Sequence, residues 1–398
     1  MKNISTIHDC YGCGVCAAAC SRKIINIELN KDGFYEPRIT DMDKCTQCGL
    51  CVDVCAFSHS ELALSSKEDD IRSWAAWSND ERVQHKCSSG GVGFEIAKLL
   101  IEKGYKFCGC RYDVEGGRAE HYIATTVEEA VASIGSKYIQ SYTPEAFRLV
   151  NRKEKYLVTG TPCQIDSFRR YIKKFRVEDN FVLLDFFCHS VPSMWAWKKY
   201  TQMVEKKIGK ITYASWRNKL TGWHDSWAIA LEGGNYVGAE TIGIDKSDAS
   251  TDYYSRWTRG DLFYTLFLGD YCCNPACIKN CKYKYKCSSA DIRIGDLWGN
   301  TYKDNDKGVS ALIAFTDKGK AVIESLKNVT LINHSFDVVA EGQMKKNAGK
   351  AFLAFVAKRM LNSSREFSLW QWKLLLKSEA VFHFPSRICN KVRNIISR

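Results

Sequence analysis

Apolar and polar positions follow two different periods along the chain, and the change of period separates strand-like from helix-like segments. Short apolar runs typical of strands occupy residues 105–112, 121–125, 156–159, 181–187, 211–216, 227–231 and 310–315. Apolar side chains at helical spacing occupy residues 92–102, 127–134, 144–150, 193–208, 261–267 and 318–326. Because strands alternate with helices, this part of the chain predicts a mixed or parallel sheet with helices on its faces.

The two ends of the chain have other patterns. Near the start, residues 24–39 read as a small hairpin whose turn contains Lys31, Asp32 and Gly33. Residues 61–72 are polar and charged, which predicts a linker or loop, and the tail from residue 343 is basic and helix-prone. These changes predict three units, at residues 1–62, 63–340 and 341–398.

A doubled cysteine motif dominates the first unit. The pattern C-x2-C-x2-C-x3-C occurs twice with identical spacing, at Cys10, Cys13, Cys16 and Cys20, and at Cys45, Cys48, Cys51 and Cys55. This spacing is typical of bacterial two-cluster ferredoxins, in which the fourth cysteine of each motif ligates the other cluster. We therefore predict two [4Fe-4S] clusters with crossed ligands. The first takes Cys10, Cys13, Cys16 and Cys55, and the second takes Cys45, Cys48, Cys51 and Cys20.

The alternative for this motif is zinc. Zinc sites usually join two short pairs of ligands across a longer gap, so three closely spaced cysteines and a displaced fourth fit zinc poorly. The proline that usually follows the fourth cysteine is replaced by Ser21 and Ala56. That proline turns the chain and binds no iron, so its loss leaves the prediction in place.

Composition and charge narrow the class of protein. The 398 residues include 19 cysteines, and neither a membrane-length apolar run nor a signal-peptide pattern is visible. We therefore expect a cytoplasmic protein whose cysteines bind metal, in a host that is plausibly anaerobic. The net charge of +12 suits an acidic electron carrier such as ferredoxin or flavodoxin. Nucleic acid or an anionic membrane would also suit the charge alone.

Two features of the second unit suggest chemistry. Ser88, Ser89, Gly90 and Gly91 precede the helical segment 92–102, and free N–H groups at such a helix start can bind phosphate. An ordinary serine cap is the alternative. Cys163 and Cys188 each follow a predicted strand, and ligand sites in α/β sheets lie past the carboxyl ends of strands.

Six short motifs in order make the chain similar to a known family. They are KCSSGG (86–91), GSKYIQS (135–141), GTPCQ (160–164), DFFCHSVPS (185–193), CIKNCKYK (277–284) and ADIRIGDLWG (290–299). With these motifs the chain resembles the coenzyme F-420 hydrogenase/dehydrogenase beta-subunit family, in the form with an N-terminal two-cluster ferredoxin domain. The resemblance implies an α+β multidomain fold, with the ferredoxin module followed by an α/β flavin-binding domain and a helical tail.

The resemblance also implies cofactors for the second unit. It implies FAD, contacted by Ser88, Ser89, Gly90, Gly91, Ser136, Lys137, Tyr138, Gly160 and Thr161. It implies a third [4Fe-4S] cluster on Cys163, Cys188, Cys277 and Cys281. The chain has no G-x-G-x-x-G motif, so no dinucleotide fingerprint points to NAD instead.

Several alternatives stay open. The late pair is spaced C-x3-C where the family usually shows C-x2-C, and Cys272, Cys273 and Cys287 are further candidates in that loop. Buried, unligated cysteines remain possible for the third set. Structural roles are expected for Cys87, Cys108, Cys110 and Cys389. His189 is a candidate catalytic proton donor to the flavin, or else a structural histidine.

Three functions follow from these observations. The first is an iron–sulfur flavin oxidoreductase that exchanges electrons between a carrier and a two-electron partner such as a deazaflavin. The second is an electron-transfer subunit of a larger complex, without a substrate of its own. The third, a nucleic-acid-binding zinc protein, conflicts with the cysteine spacing. The tail from residue 382 to 398 mixes basic and apolar residues, which suggests a surface helix or a weak contact with an anionic membrane.

Overall fold

The computed structural model describes residues 2–234, 251–366 and 368–382, with side chains up to residue 379. The basic segment predicted as a surface or membrane helix, residues 382–398, lies almost entirely outside the described residues. Among the described helices, none combines the length and the apolar character needed to cross a membrane.

The described residues form fourteen strands and fourteen α-helices. The strands are β1 (Ile25–Leu29), β2 (Tyr35–Ile39), β3 (Arg72–Ser78), β4 (Lys106–Asp113), β5 (Arg118–Ala124), β6 (Ser141–Tyr142), β7 (Tyr156–Thr159), β8 (Phe181–Phe186), β9 (Ile211–Arg217), β10 (Trp227–Gly233), β11 (Tyr253–Arg256), β12 (Ile292–Asp296), β13 (Ser310–Ala314) and β14 (Val329–Asn333). The helices are α1 (Val15–Ala19), α2 (Leu50–Asp53), α3 (Glu81–Lys86), α4 (Val92–Glu102), α5 (Val127–Ala130), α6 (Pro144–Leu149), α7 (Pro162–Lys174), α8 (Met194–Ile208), α9 (Leu262–Leu268), α10 (Pro275–Lys279), α11 (Asp317–Glu324), α12 (Phe336–Val339), α13 (Ala354–Asn362) and α14 (Leu369–Phe382). Short 3-10 turns occupy Ile4–Thr6, Ala56–Ser58, Glu68–Asp70, Val131–Ser133, Glu178–Asn180 and Trp257–Arg259.

The N-terminal module has the internal symmetry that its doubled motif predicts. β1 and β2 pair as an antiparallel hairpin from Ile25↔Ile39 to Leu29↔Tyr35, which confirms the predicted hairpin. The short helices α1 and α2 each lie inside one cysteine motif and contain its third cysteine, Cys16 or Cys51. Each begins after a left-handed glycine, Gly14 at φ 76° and Gly49 at φ 79°. Glycine suits both positions because a side chain strains this conformation.

The second unit is built on a mixed nine-stranded sheet, in the order β14-β3-β13-β12-β8-β7-β4-β5-β6. The central neighbours β12–β8, β8–β7 and β7–β4 are parallel, whereas β3, β13 and β14 pair antiparallel with one another at one side. The mixed sheet predicted from the alternating periods is therefore confirmed. Its strand order was not predicted, because it interleaves segments from both ends of the unit.

The central strands bury both of their faces. In β8, Val182 and Leu184 pack with α4 and α11, while Phe181 and Leu183 pack with α7 on the opposite face. This alternation follows from the period-2 geometry of a strand. The helix α1 of the N-terminal module contributes to the α7 side of the core, so the module forms part of a layer over the sheet.

A smaller sheet, β11-β10-β9, lies beside the main one. Its residues pack with α8 and α9 in an aromatic-rich cluster that includes Trp197, Trp216 and Phe263. The C-terminal helices α13 and α14 pack next to it through Leu361 and Trp372. The polar residues 61–72 are not a free linker, since Ala63 to Ser66 bond to α7, to the segment before β12 and to the end of β13.

Candidate metal and cofactor sites

The first predicted thiol set surrounds one apolar cavity. Cys10, Cys13, Cys16 and Cys55 all line it, together with Ile4, Ile7, Tyr11, Ile27, Pro37 and Phe57. Burial, followed by the nearby Cys55 thiol, raises the pKa of Cys13 to about 11. Four thiols from both motifs therefore meet in one place, which is the arrangement that crossed ligation requires.

The second set gathers at the other end of the module. Burial raises the pKa of Cys51, to which the Cys20 and Cys48 thiols also contribute. Cys45 packs in the same apolar cluster as Cys51 and Cys20, and Asn3 Nδ2 lies 3.6 Å from its sulfur. Cys48 is exposed, so this set lies nearer to the solvent than the first.

Both sets suit iron–sulfur clusters in chemistry as well as in number. Cluster ligands are thiolates, so cluster assembly must remove the protons that burial favours on these thiols. Local donors support the charged form: Gly12 N donates to Cys10 Sγ at 3.3 Å, and Ser167 Oγ lies 3.2 Å from Cys13 Sγ. Within the described residues all eighteen cysteines are free of disulfides.

The module is fixed to the second unit by buried polar contacts. Gln140 accepts a hydrogen bond from Tyr35 N and donates one to Tyr11 O, both at 3.0 Å. Thr143 Oγ1 donates to Cys13 O at 2.8 Å, and Ser167 Oγ accepts from Ala56 N at 3.0 Å. Because Gln140, Thr143 and Ser167 are buried, these bonds hold the first thiol set in a defined position over the sheet.

A third set of thiols converges within the second unit. Burial raises the pKa of Cys163, and the Cys277, Cys13 and Cys188 thiols raise it further. Burial likewise raises the pKa of Cys277 to about 12, with contributions from Cys188 and Cys281. The four residues implied by the resemblance are thus neighbours, although the late pair is spaced C-x3-C.

The first and third sets adjoin each other. Cys163 is influenced by Cys13 of the first set, and Tyr11 packs against Cys163 and Cys281. Tyr11 also hydrogen-bonds to Asn280 O in the late loop, and Asn274 Nδ2 donates to Cys10 O at 3.3 Å. Tyr11 and Asn274 therefore link the surroundings of the first set to the loop that carries Cys277 and Cys281.

A buried ion pair fixes the strand that leads to Cys188. Asp185 on β8 faces Arg293 on β12, and both side chains are fully buried. Arg293 Nε and NH2 donate to the two oxygens of Asp185 at 2.7 Å, and Ser288 Oγ donates to the same carboxylate. Arg293 also donates to Cys287 O, so one residue ties the late cysteine loop to the sheet.

The residues of the SSGG and GSKY motifs that were predicted to contact FAD also lie close together. Ser136 N and Ser136 Oγ both bond to Ser88 Oγ, at 2.9 and 3.0 Å. Gly90 N donates to Ser310 Oγ, and α4 begins after Gly91, at φ 84°, with no side chain capping its start. The start of α4 is buried and has no side-chain cap, so it keeps the positive end that favours an anion.

Arg217 organises this second cluster, and the sequence did not point to it. Its guanidinium pairs with both oxygens of Asp296, at 2.9 and 3.0 Å, and donates to Tyr138 Oη and Ser88 O. It also lies over the Trp227 ring, 4.8 Å from the centroid. Arg217 thus joins the SSGG, GSKY and ADIRIGD motifs, and a basic residue at the end of a strand was the only available signal.

Two buried lysines add positive charge near the same loop. Lys137 donates to four backbone carbonyls of residues 132–135, and burial lowers its pKa to about 8. Lys219 donates to Ser89 O and Gln84 O, and burial lowers its pKa to about 8. Lys137, Lys219 and Arg217 thus lie near the loop that precedes α4, each already bonded to carbonyl or carboxylate oxygens of the protein.

The remaining residues that the sequence singled out lie outside the Arg217 cluster. Thr161 N donates to Gln164 Oε1, and Thr161 Oγ1 lies 3.2 Å from Cys163 Sγ, so Gly160 and Thr161 belong to the third thiol set's surroundings. His189 pairs with Asp270 at 2.9 Å. Cys87 and Cys108 are buried in the core, which agrees with structural roles, and Cys110 is half-buried. Cys389 lies outside the described residues.

The two sites lie at the same edge of the sheet. Cys188 follows the carboxyl end of β8, and Asp296 ends the neighbouring parallel strand β12. Phe187 N donates to Ile294 O, and Gly295 has no room for a side chain because Phe187 lies against it. The third thiol set and the Arg217 cluster are therefore connected through directly packed residues.

Comparisons with known proteins agree with this arrangement. Residues 9–58 match the model of the 4Fe-4S dicluster domain, and residues 153–335 match the model of the C-terminal region of the coenzyme F420 hydrogenase/dehydrogenase beta subunit. A curated relative, coenzyme F420 hydrogenase subunit beta from Methanococcus voltae, is 34% identical over 122 residues, which is 29% of this chain. The chain spans only 44% of that relative's length.

A solved structure also resembles the chain loosely. It is the F420-reducing [NiFe] hydrogenase complex from Methanosarcina barkeri, at 16% identity and a TM-score of 0.46, with 76% of this chain and 92% of that chain covered. At this level the resemblance carries no argument about function.

The fold and the thiol sets define an iron–sulfur protein with an N-terminal 4Fe-4S ferredoxin-type domain attached to an α/β domain. From residue 153 to residue 335 the chain is similar to the C-terminal region of the coenzyme F420 hydrogenase/dehydrogenase beta subunit, and its N-terminal residues 9–58 match a 4Fe-4S dicluster domain.

Proposed function

We propose that this protein is an iron–sulfur flavoprotein oxidoreductase that moves electrons between a low-potential carrier and FAD, and then a two-electron partner such as a deazaflavin or another small metabolite. The observation that carries the proposal is the contact between thiol sets. Tyr11 of the ferredoxin-type domain, next to Cys10, packs with Cys163 and Cys281. Burial raises the pKa of Cys163, and the thiols of Cys277, Cys13 and Cys188 all raise it further.

The residues supply a chain of sites in a definite order. The second thiol set includes the exposed Cys48, so a carrier reaches this end of the module most easily. The first set lies inside, and the third set, on Cys163, Cys188, Cys277 and Cys281, would hold a further [4Fe-4S] cluster. The net charge of +12 favours an acidic carrier such as ferredoxin or flavodoxin.

The Arg217 cluster is the proposed FAD site. Bound FAD would supply the exchange between one-electron and two-electron transfer. The residues that hold it would be Ser88 to Gly91, Ser136, Lys137 and Tyr138, with the uncapped start of α4 facing the phosphates. Asp296 pairs with the Arg217 guanidinium, so this cationic group is already oriented before a ligand binds.

The test is a cofactor analysis followed by an acceptor screen. Protein purified without oxygen should contain about twelve irons, from three four-iron clusters, and about one FAD per chain. The reduced protein is then mixed with the deazaflavin, NAD, NADP, ferredoxin and nucleotide sugars, and flavin reoxidation is followed by absorbance. Protein that contains zinc instead of iron, or that holds no flavin after incubation with FAD, contradicts the proposal.

A second candidate is an electron-transfer subunit that acts only with a partner subunit. Large apolar side chains on α13 and α14 favour it: Trp370 is 70% exposed, Phe355 57% and Leu374 51%. Apolar side chains on one region of a surface mark protein contacts. Turnover of a small acceptor by the isolated protein excludes this candidate, and turnover only after addition of a partner supports it.

A further inference from the structure

Three metal-binding side chains meet beside the third thiol set without belonging to it. His189 Nε2 lies 2.9 Å from Asp270 Oδ1, and Cys273 Sγ lies 3.4 Å from the same oxygen. The three ligand atoms are all within 4.8 Å of one another. One nitrogen, one oxygen and one sulfur therefore face a common point.

The spacing of these atoms suits a small divalent ion. Zn–N, Zn–O and Zn–S bonds of about 2.0–2.3 Å place tetrahedral ligand atoms about 3.3–3.8 Å apart. The Cys273–Asp270 distance of 3.4 Å lies in this range, and the His189–Asp270 distance of 2.9 Å lies below it, so binding requires the imidazole and the carboxylate to move slightly apart. A mixed N, O and S donor set is typical of zinc, which is borderline in softness and bound by cysteine, histidine and carboxylate.

The backbone holds two of the ligands in register. The segments after His189 and around Cys273 run side by side, with an antiparallel bridge between Pro192 and Cys273. Ser193 N donates to Cys272 O at 2.8 Å, which fixes the same pairing. The histidine and the cysteine are therefore placed by hydrogen-bonded backbone rather than by loose loops.

The third ligand is held in a strained conformation. Asp270 is a non-glycine residue at φ 61°, in the left-handed region that such residues rarely adopt. Its Oδ2 accepts a hydrogen bond from Gly349 N at 2.8 Å. A Cβ at Gly349 would stand 2.7 Å from that oxygen, so a larger residue there would displace the Asp270 carboxylate. This anchoring leaves Oδ1 directed at His189 and Cys273.

Neighbouring residues hydrogen-bond to the candidate ligands, and two of the three ligand side chains are partly exposed to solvent. Ser190 Oγ donates to Cys273 Sγ at 2.8 Å, and Lys284 Nζ donates to His189 O at 2.5 Å. Such outer hydrogen bonds orient metal ligands. Cys273 is buried, whereas the side chains of His189 and Asp270 are 21% and 22% exposed. An ion can therefore enter from the solvent side and keep one position for water.

We propose that His189 Nε2, Asp270 Oδ1 and Cys273 Sγ bind one zinc-type divalent ion, with a fourth position open to solvent. The site is separate from the three thiol sets and does not depend on the proposed electron-transfer function. It also gives His189 a role other than that of a flavin proton donor.

The test uses anaerobic holoprotein with its iron in place. The protein is incubated with Zn²⁺, washed with a weak chelator, desalted, and analysed for zinc and iron in the same sample. Wild-type protein should retain about one zinc per chain, as a three-ligand site predicts. Cys273→Ser and Asp270→Asn should each lower the retained zinc at least fivefold while the iron content stays unchanged.

Cys272→Ser is the matched control, because Cys272 is an equally buried neighbour whose thiol lies outside the triad. It should retain zinc as the wild type does. Co²⁺ loading adds a spectroscopic reading, since a thiolate-to-cobalt absorption band should appear in wild type and be absent in Cys273→Ser. If Cys273→Ser also loses iron, the zinc retained by Asp270→Asn is the test of the proposal. Zinc retained in Asp270→Asn, zinc absent from wild type, or equal loss in Cys272→Ser overturns the proposal.

Discussion

The repeated motif of the ferredoxin-type domain provides a matched pair of substitutions, Gly14→Ala and Gly49→Ala. Both glycines have left-handed backbone, at φ 76° and 79°, and both precede a short helix inside a cysteine motif. Their surroundings differ. A Cβ at Gly14 would stand 2.1 Å from Thr143 Oγ1 in the second unit, whereas a Cβ at Gly49 would meet only Lys2, at 3.7 Å.

The expected costs follow from these surroundings. Alanine in the left-handed region costs about 1 kcal/mol at either position. At Gly14 the Thr143 side chain must also move, which breaks its 2.8 Å hydrogen bond to Cys13 O and leaves a buried carbonyl without its partner. That loss adds about 2 kcal/mol. We therefore expect Gly14→Ala to cost about 3 kcal/mol and Gly49→Ala about 1 kcal/mol.

The assay is anaerobic urea unfolding of the holoprotein, followed by tryptophan fluorescence and by the visible absorbance of the clusters. Thr143→Ala completes a double-mutant cycle, since it removes the atom that Gly14→Ala would strike. In that background Gly14→Ala should cost only the backbone term, about 1 kcal/mol. Equal losses for the two glycine variants, or a cost for Gly14→Ala that Thr143→Ala does not reduce, would refute the described contact between module and sheet.

Three further predictions concern buried charge, acid stability and crossed ligation. Arg293→Met leaves a fully buried carboxylate unpaired and should lower the free energy of unfolding by about 3–5 kcal/mol, so a loss below about 1 kcal/mol contradicts the buried pair. Burial lowers the pKa of His121 to about 4, so stability is complete above the ordinary histidine pKa of about 6.5 and falls as the pH drops through this window. Between pH 6.5 and 4.5, His121→Gln should therefore lose about 2 kcal/mol less stability than wild type in urea unfolding, and equal losses in the two proteins would reject this assignment. Cys20→Ala and Cys51→Ala should abolish the same cluster signal in electron paramagnetic resonance, and Cys16→Ala the other, whereas a signal shared by Cys20→Ala and Cys16→Ala would exclude crossing.

Local sequence patterns predicted individual helices and strands well, because neighbouring residues largely decide where these elements form. The strand at 156–159 and the hairpin at 24–39 are set by apolar alternation and turn residues, and both are confirmed. The strands β3 and β14 were not predicted, and they complete one side of the main sheet. Their pairing joins residues about 250 positions apart, from Ser78↔Val329 to Trp74↔Asn333, which no local period encodes.

In the candidate sites, too, sequence patterns predicted what is set by neighbouring residues and missed what depends on residues far apart in the chain. Cysteine spacing placed the two sets of the ferredoxin-type domain, because ligand spacing within a motif is a local property. Arg217 was missed because it acts across 129 positions on Ser88 O, from a strand of the smaller sheet. The pairing of His189 with Asp270 was missed for the same reason, since 81 positions separate the two.

The central claim is that electrons pass between the ferredoxin-type domain and the flavin through the site that contains Cys163, and one measurement tests it most directly. Wild type, Cys163→Ala and the core control Cys108→Ala are loaded with FAD, mixed rapidly with a reductant of the ferredoxin-type domain, and followed at the flavin absorbance. Cys163→Ala should lose about four of about twelve irons, keep its FAD, and reduce the flavin at least tenfold more slowly than Cys108→Ala. Unchanged iron and an unchanged rate of flavin reduction in Cys163→Ala would contradict the account.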